Sequence, residues 1–257
     1  MRTRFFLLLF PLLSTPLPVL AAPCDGAPVD SSLPSGQRAD QLAKRAFACL
    51  KERKPLQSIA LFSELIGIEP NNAQAYLNRG STYVGMGQLD AGLKDYSHVI
   101  ELEPGHFEGW YNRGASRLAA RQYDEAILDL TETIRLKPDL AYAYCNRGLG
   151  YLRKAELEKA RADFEKGLKL RLDMPLCYLG RGDIELADGK YRDAIEDLTR
   201  GINFKPTAEA LAHRGTAYER LGESEEALRD YRSALSLSPR LKEAQTGIAR
   251  LSKDSNE

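Results

Sequence analysis

The stretch AQAYLNRGSTYVGMGQLDAGLKDYSHVIELEPGH, Ala73 to His106, decides the reading of this chain. Its Arg79-Gly80 pair returns as Arg113-Gly114, Arg147-Gly148, Arg181-Gly182 and Arg214-Gly215, so the glycines stand 34, 34, 34 and 33 residues apart. Twelve residues after each glycine comes a small residue (Gly92, Ala126, Ala160, Ala194, Ala227), and four further on a bulky one (Tyr96, Leu130, Phe164, Leu198, Tyr231). Prolines 70, 104, 138, 206 and 239 close most units, and Leu172 stands where one more is due. Self-similarity at such a period marks a repeat architecture, for which length alone is a poor guide to domain count.

Within the unit, Tyr76, Arg79/Gly80 and Tyr83 recur at i, i+3/i+4 and i+7 and share one face of a first helix. Leu89, Gly92/Leu93, Tyr96 and Val99/Ile100 form the face of a second. Gly85 and Gly87 loosen the turn between them, and Pro104 stops the second helix because it has no amide hydrogen to donate. A hairpin this small cannot bury its own apolar face, so its stability must come from stacking on neighbours.

These residues resemble the tetratricopeptide repeat signature, which Tyr76, Gly80, Tyr83, Gly92, Tyr96 and Pro104 meet best. The resemblance implies an all-α fold, a right-handed superhelical solenoid of helix-turn-helix repeats, with units at 39–72, 73–106, 107–140, 141–174, 175–207 and 208–241. The first unit departs most, with Ala46, Cys49 and Ser58 at signature positions, while Phe62 and Pro70 hold register. Residues 242–257 are expected to give a C-terminal capping helix, carried by Glu243, Ala244, Ile248 and Leu251, and a polar tail.

The resemblance also implies a concave groove lined by the first helices. Its wall would comprise Gln74, Leu77, Asn78 and Ser81, then Glu108, Tyr111, Asn112 and Ala115, then Tyr142, Cys145, Asn146 and Leu149, followed by Leu176, Leu179 and Asp183. Asn78, Asn112 and Asn146 are the informative members, since an amide offers two donors and an acceptor to the backbone of an extended peptide. The alternative is that they bridge repeats whatever the ligand. Tyr111, Tyr142, Leu149 and Leu179 would anchor apolar partner side chains. The basic set with which some family members grip a chaperone's terminal carboxylate is missing, its positions holding Leu77, Tyr111, Gln74, Glu108 and Tyr142.

A second regularity pairs Arg79 with Asp95, Arg113 with Asp129, Arg147 with Asp163, Arg181 with Asp197 and Arg214 with Asp230. A ligand ladder is one reading; a tie between the two helices of each hairpin is the plainer one. Arg181-Gly182-Asp183 spells an adhesion tripeptide but falls on a helix. His98, His106 and His213 show no metal-ligand spacing, and no nucleophile elbow or phosphate loop is present. No catalytic residue, metal or cofactor is therefore expected.

The termini speak to location. Arg2 and Arg4 precede an apolar run from Phe5 to Leu13 and a stretch ending Val19-Leu20-Ala21-Ala22, the pattern of a secretory signal peptide over 1–21, with Ala21 preferred to Ala22 as the cleavage point. Pro11, Pro16 and Pro18 interrupt the run before it reaches the roughly 20 residues of a spanning helix, so no membrane span should remain after cleavage. Pro23 before Cys24 argues against a lipoprotein. Residues 22–38, rich in Pro, Ser, Gly and Asp, read as a flexible leader. In an oxidising compartment Cys24 is expected to pair with Cys49 and tie that leader over the first repeat. Cys145 and Cys177, on helices fixed by stacking, are expected to stay reduced unless their Cα atoms fall within about 7 Å.

With 36 basic and 36 acidic residues the chain lacks the positive surplus that nucleic acid demands. The whole points to a non-catalytic protein- or peptide-binding scaffold, secreted and periplasmic, similar among secreted members of the family to bacterial envelope adaptors. A self-assembling structural oligomer is the alternative, and an enzyme the third reading.

Overall fold

The computed structural model describes Cys24, Gly26 and residues 28–254; the signal segment lies outside the described residues. Thirteen helices and no strand occur among them. They fall into two compact units, one ending at Pro138 and one beginning at Asp139.

The first unit holds three hairpins: α1 (Ser35–Lys51) with α2 (Pro55–Ile68), α3 (Ala73–Gly85) with α4 (Leu89–Leu102), and α5 (Phe107–Ala119) with α6 (Tyr123–Leu136). The second holds α7 (Ala141–Arg153) with α8 (Leu157–Leu170), α9 (Pro175–Ala187) with α10 (Tyr191–Phe204), α11 (Ala208–Arg220) with α12 (Ser224–Leu237), and the single helix α13 (Lys242–Asp254). Within each unit successive hairpins pack on one another, so each is a stretch of helical solenoid; α13 closes the second by packing on α11 and α12. No helix among the described residues is long and apolar enough to cross a membrane.

The tight hairpins have a common turn. One residue in each sits in the left-handed region: Arg53, Gly87, Arg121, Ala155, Gly189 and Gly222. The amide after it reaches back five residues, as Gln88 does to the Tyr83 carbonyl at 2.9 Å, and satisfies a helix end that would otherwise be orphaned. Glycine enters this conformation at no steric cost; arginine and alanine do not.

Close approach explains the small residues. Ala126, Ala160, Ala194 and Ala227 are fully buried, and a Cβ on Gly92 would come within 2.4 Å of Val84 on the partner helix. The bulky residues four positions on, Tyr96, Leu130, Phe164, Leu198 and Tyr231, are all fully buried.

The expected Cys24–Cys49 pairing is present, and two other expectations need correction. The leader is anchored: Cys24 is buried and disulfide-bonded to Cys49, Arg45 donates to the carbonyls of Cys24 and Gly26, Val29 packs on Leu42 and Leu65, and α1 begins at Ser35, inside the segment read as leader. The covalent tie follows from the cysteines, whereas the composition hides the rest of the anchoring, because the Arg45 contacts are polar. Cys145 and Cys177 also form a disulfide, with Cα atoms 5.1 Å apart. Direct contact between α7 and α9 brings them together, and Gly167 leaves the space, since a Cβ there would stand 2.6 and 2.8 Å from the two sulfurs.

Candidate peptide-binding groove

In each unit the first helices of successive hairpins touch: α3 with α5 in the first, α7 with α9, α9 with α11 and α11 with α13 in the second. Each row forms a wall, and the expected groove residues divide over the two.

On the first wall, Gln74 is exposed and donates to the Asn78 side chain at 3.2 Å, while Ser81 donates to the Leu77 carbonyl and accepts from the Tyr96 hydroxyl. Leu77, Tyr111 and Ala115 are buried, so they serve as core; Leu77 packs with Tyr96 and Val99. Glu108 stands beside His106 at 3.0 Å, and although burial opposes its charge, the imidazole holds it below the usual carboxylate range.

Asn112 is the residue of interest. It is 4% exposed and makes no side-chain hydrogen bond among the described residues. In the same register of later repeats Gly180 and Gly247 lie against the rings of Phe164 and Tyr231, where a Cβ would come to 2.3 Å. That register faces the preceding hairpin, which explains why the stem of Asn112 is covered. The amide itself is not sealed off: its oxygen and nitrogen still reach solvent, so both donors and the acceptor stay open to a ligand.

On the second wall, Tyr142 and Leu176 are half-buried and pack on the core around Phe164, with the Arg171 guanidinium over the Tyr142 ring. Leu149 is half-buried and Asn146 buried. Leu179 faces its own hairpin, against Gly201, so it is not a wall residue, and Cys145 is consumed in the disulfide.

Behind the walls runs the charged ladder. Each arginine, Arg79, Arg113, Arg147, Arg181 and Arg214, grips its aspartate with two hydrogen bonds of 2.5–3.0 Å. The aspartates are 1–6% exposed. A third donor of Arg79, Arg113 and Arg214 reaches Ser63, Ser97 and Thr199 of the preceding hairpin. Aromatic rings flank the guanidinium, Tyr76 and Tyr83 at Arg79 and Trp110 at Arg113. The aspartate hydrogen bonds raise the pKa of Arg79, Arg147, Arg181 and Arg214 against the opposing effect of burial. All these donors are spent inside the fold, so the ladder is structural; breaking one pair would strand a buried charge at a cost of about 3–5 kcal/mol.

Two tetratricopeptide repeat models match the sequence, one over residues 77–141 and 145–209 and the other over 208–241. The chain belongs to the tetratricopeptide repeat (TPR) family. No curated protein matches it significantly. Among solved structures it is similar in fold to PilF of Pseudomonas aeruginosa, with 18% identity and a TM-score of 0.75 over 84% of this chain and 99% of that one. MamA of Desulfovibrio magneticus RS-1 gives 23% identity and a TM-score of 0.61 over 66% and 96% of the two chains. YrrB, a TPR protein with an unusual peptide-binding site, gives 17% and 0.58 over 73% and 97%.

The second wall of this TPR chain carries a cluster that sequence reasoning missed. Asp183 on α9 lies 2.6 Å from Nδ1 of His213 on α11, and Glu243 on α13 lies 3.6 Å from Nε2. Burial opposes charge on His213, but the hydrogen bond to Asp183, reinforced by Glu243 and Glu209, raises its pKa. The signal was available: the residues stand 30 apart, one repeat less one helical turn. Asp183 is thereby engaged, and with Arg181 on Asp197 and Gly182 buried, the adhesion-like tripeptide is not displayed. Glu185 takes the register that Tyr83, Tyr151 and Tyr218 hold elsewhere. Burial, then Asp197, pushes its carboxyl up to about 7, and Arg181 opposes them.

Proposed function

We propose that this protein is a non-catalytic scaffold that holds an extended segment of another protein or peptide on the wall of its first helices, and that it works in the bacterial cell envelope. Asn112 carries the reading: an amide on a covered stem, open at its tip and with no side-chain partner among the described residues, is matched to the backbone of a ligand. The second unit has its own wall, where the half-buried Tyr142, Leu149 and Leu176 offer apolar anchorage to a segment held there. The likeness to YrrB, which has a peptide-binding site, is in keeping with this use of the fold. Two disulfides and no free cysteine among the described residues suit an oxidising compartment, as does the signal-like sequence at 1–21.

The test places a photoreactive residue at position 112, and as a control at Leu128, which is exposed on the second helix α6, in protein expressed in its native envelope. Crosslinks to one protein species from 112 and none from 128 are expected, and Asn112→Ala should weaken capture with helix content and Tm nearly unchanged. The loss should be about 1 kcal/mol or more for each hydrogen bond removed. A lowered Tm with capture intact would make Asn112 structural and overturn the reading. Crosslinks between copies would favour self-assembly.

A further inference from the structure

The second helices of the second unit end in one register, at Leu170, Phe204 and Leu237, and these side chains are 37%, 53% and 54% exposed. Leu172, in the loop after α8, is 72% exposed. The residues in that register of the first unit, Ile68, Leu102 and Leu136, are half-buried. Because α7, α9 and α11 stack side by side, the loops 171–174, 205–207 and 238–241 follow one another along one edge of the unit.

The charge of that edge differs as well. Lys169, Arg171, Lys205, Arg240 and Lys242 are all exposed there. Against these five bases stand three acids, Asp173, which Arg171 binds, and the exposed Glu209 and Glu243 at the starts of α11 and α13, so the edge keeps a positive surplus. In the first unit the loops at 69–72 and 103–106 carry Glu69 and Glu103 and no lysine or arginine, and bases appear only beside Leu136, as Arg135 and Lys137. An exposed apolar row gains no packing in water and marks a surface that meets something else.

We propose that this edge of the second unit docks on an anionic phospholipid surface. Leucine and phenylalanine tips enter the boundary between headgroups and acyl chains, while lysine and arginine remain at the depth of the phosphates. Tips separated by polar loops suit a fluid layer that closes around each of them, whereas a folded partner would need a matching recess for every one. The proposal stands independently of the groove: it concerns a different edge and a different ligand chemistry.

The experiment uses the chain from Ala22 onward, which contains every described residue, and sedimentation with vesicles of equal parts phosphatidylglycerol and phosphatidylcholine or of phosphatidylcholine alone. Binding to the anionic vesicles only, weakened by salt, is expected. L172S/F204S/L237S should lower that affinity by about tenfold or more with Tm unchanged, and K169E/K205E/K242E should lower it and flatten its salt dependence. No binding to anionic vesicles, equal binding to both kinds, or binding that survives both triple variants would overturn the proposal. So would a wild-type dimer in light scattering that L172S/F204S/L237S turns into a monomer without any vesicle binding, because the row would then be a face between copies.

Discussion

The two ends of the repeat array are closed by different physics. At the N-terminal end a segment without apolar periodicity is held by the Cys24–Cys49 disulfide, by Arg45 on the Cys24 and Gly26 carbonyls, and by Glu52 on the Cys24 amide. At the C-terminal end α13 lays Ala244, Gly247, Ile248 and Leu251 on the core of α11 and α12, and Arg250 clamps Glu219 at 2.7 and 2.9 Å. An amphipathic helix holds itself by burial, while a polar strap needs a covalent bond that limits the unfolded chain. The first end should therefore answer to reductant and the second to packing and pH.

The sharpest way to break that contrast is Gly247→Leu. The new side chain meets the Tyr231 ring, so α13 must lift; a loss of about 3 kcal/mol is expected. Amide exchange should rise over 242–254 and in α11 and α12 while the first unit keeps its protection, because repeats couple chiefly to neighbours. Equal loss at both ends would contradict separate closure.

Cys24→Ser with Cys49→Ser should act at the other end alone. The bond spans 25 residues, for which the chain-entropy account gives about 3 kcal/mol, with exchange rising in α1 and α2 and α13 untouched. Reductant should reproduce the rise in α1 and α2 in the wild type and add a second one around α7 and α9, where it opens Cys145–Cys177. Unchanged protection in α1 would mean that Arg45 and Glu52 suffice.

The smallest effect is the pH response of the C-terminal end. The pKa of His213 is raised above about 6.5, so its bond to Asp183 and its attraction to Glu243 contribute fully below that value and are lost as pH rises through the folded pKa. Protection of α13 should fall above about pH 6.5 by less than about 1 kcal/mol, since the groups are partly exposed. His213→Ala should remove the slope, and α1 should show none. A slope that persists in His213→Ala would assign it to another group.

Much of the fold was legible because it repeats. The Arg-Gly register, the small residue twelve positions on and the bulky one after it report three contacts of every hairpin, so periodicity marked the two helices of the unit, and the family resemblance supplied the unit bounds and the cap at Ala244, Ile248 and Leu251. The groove was less legible. Leu77, Tyr111 and Ala115 carry the expected spacing and yet are core, because which side of a first helix faces the neighbouring hairpin depends on how hairpins pack, and side-chain type does not encode that. Asn78 and Asn112 look alike in sequence, but one is bonded to Gln74 and the other is not.

By itself the sequence determined the repeat, its period, its all-helical character and the pairing of each arginine with its aspartate, since all of these are local or lie within one period. Only the tertiary structure decided that Cys145 meets Cys177 across Gly167, that Arg45 holds the leader carbonyls and α1 begins at Ser35, that His213 sits between two carboxylates, and that Leu170, Phe204 and Leu237 face solvent while their counterparts in the first unit are half-buried. Each depends on distances between hairpins, and stacking sets those distances through the sizes of side chains far apart in the chain.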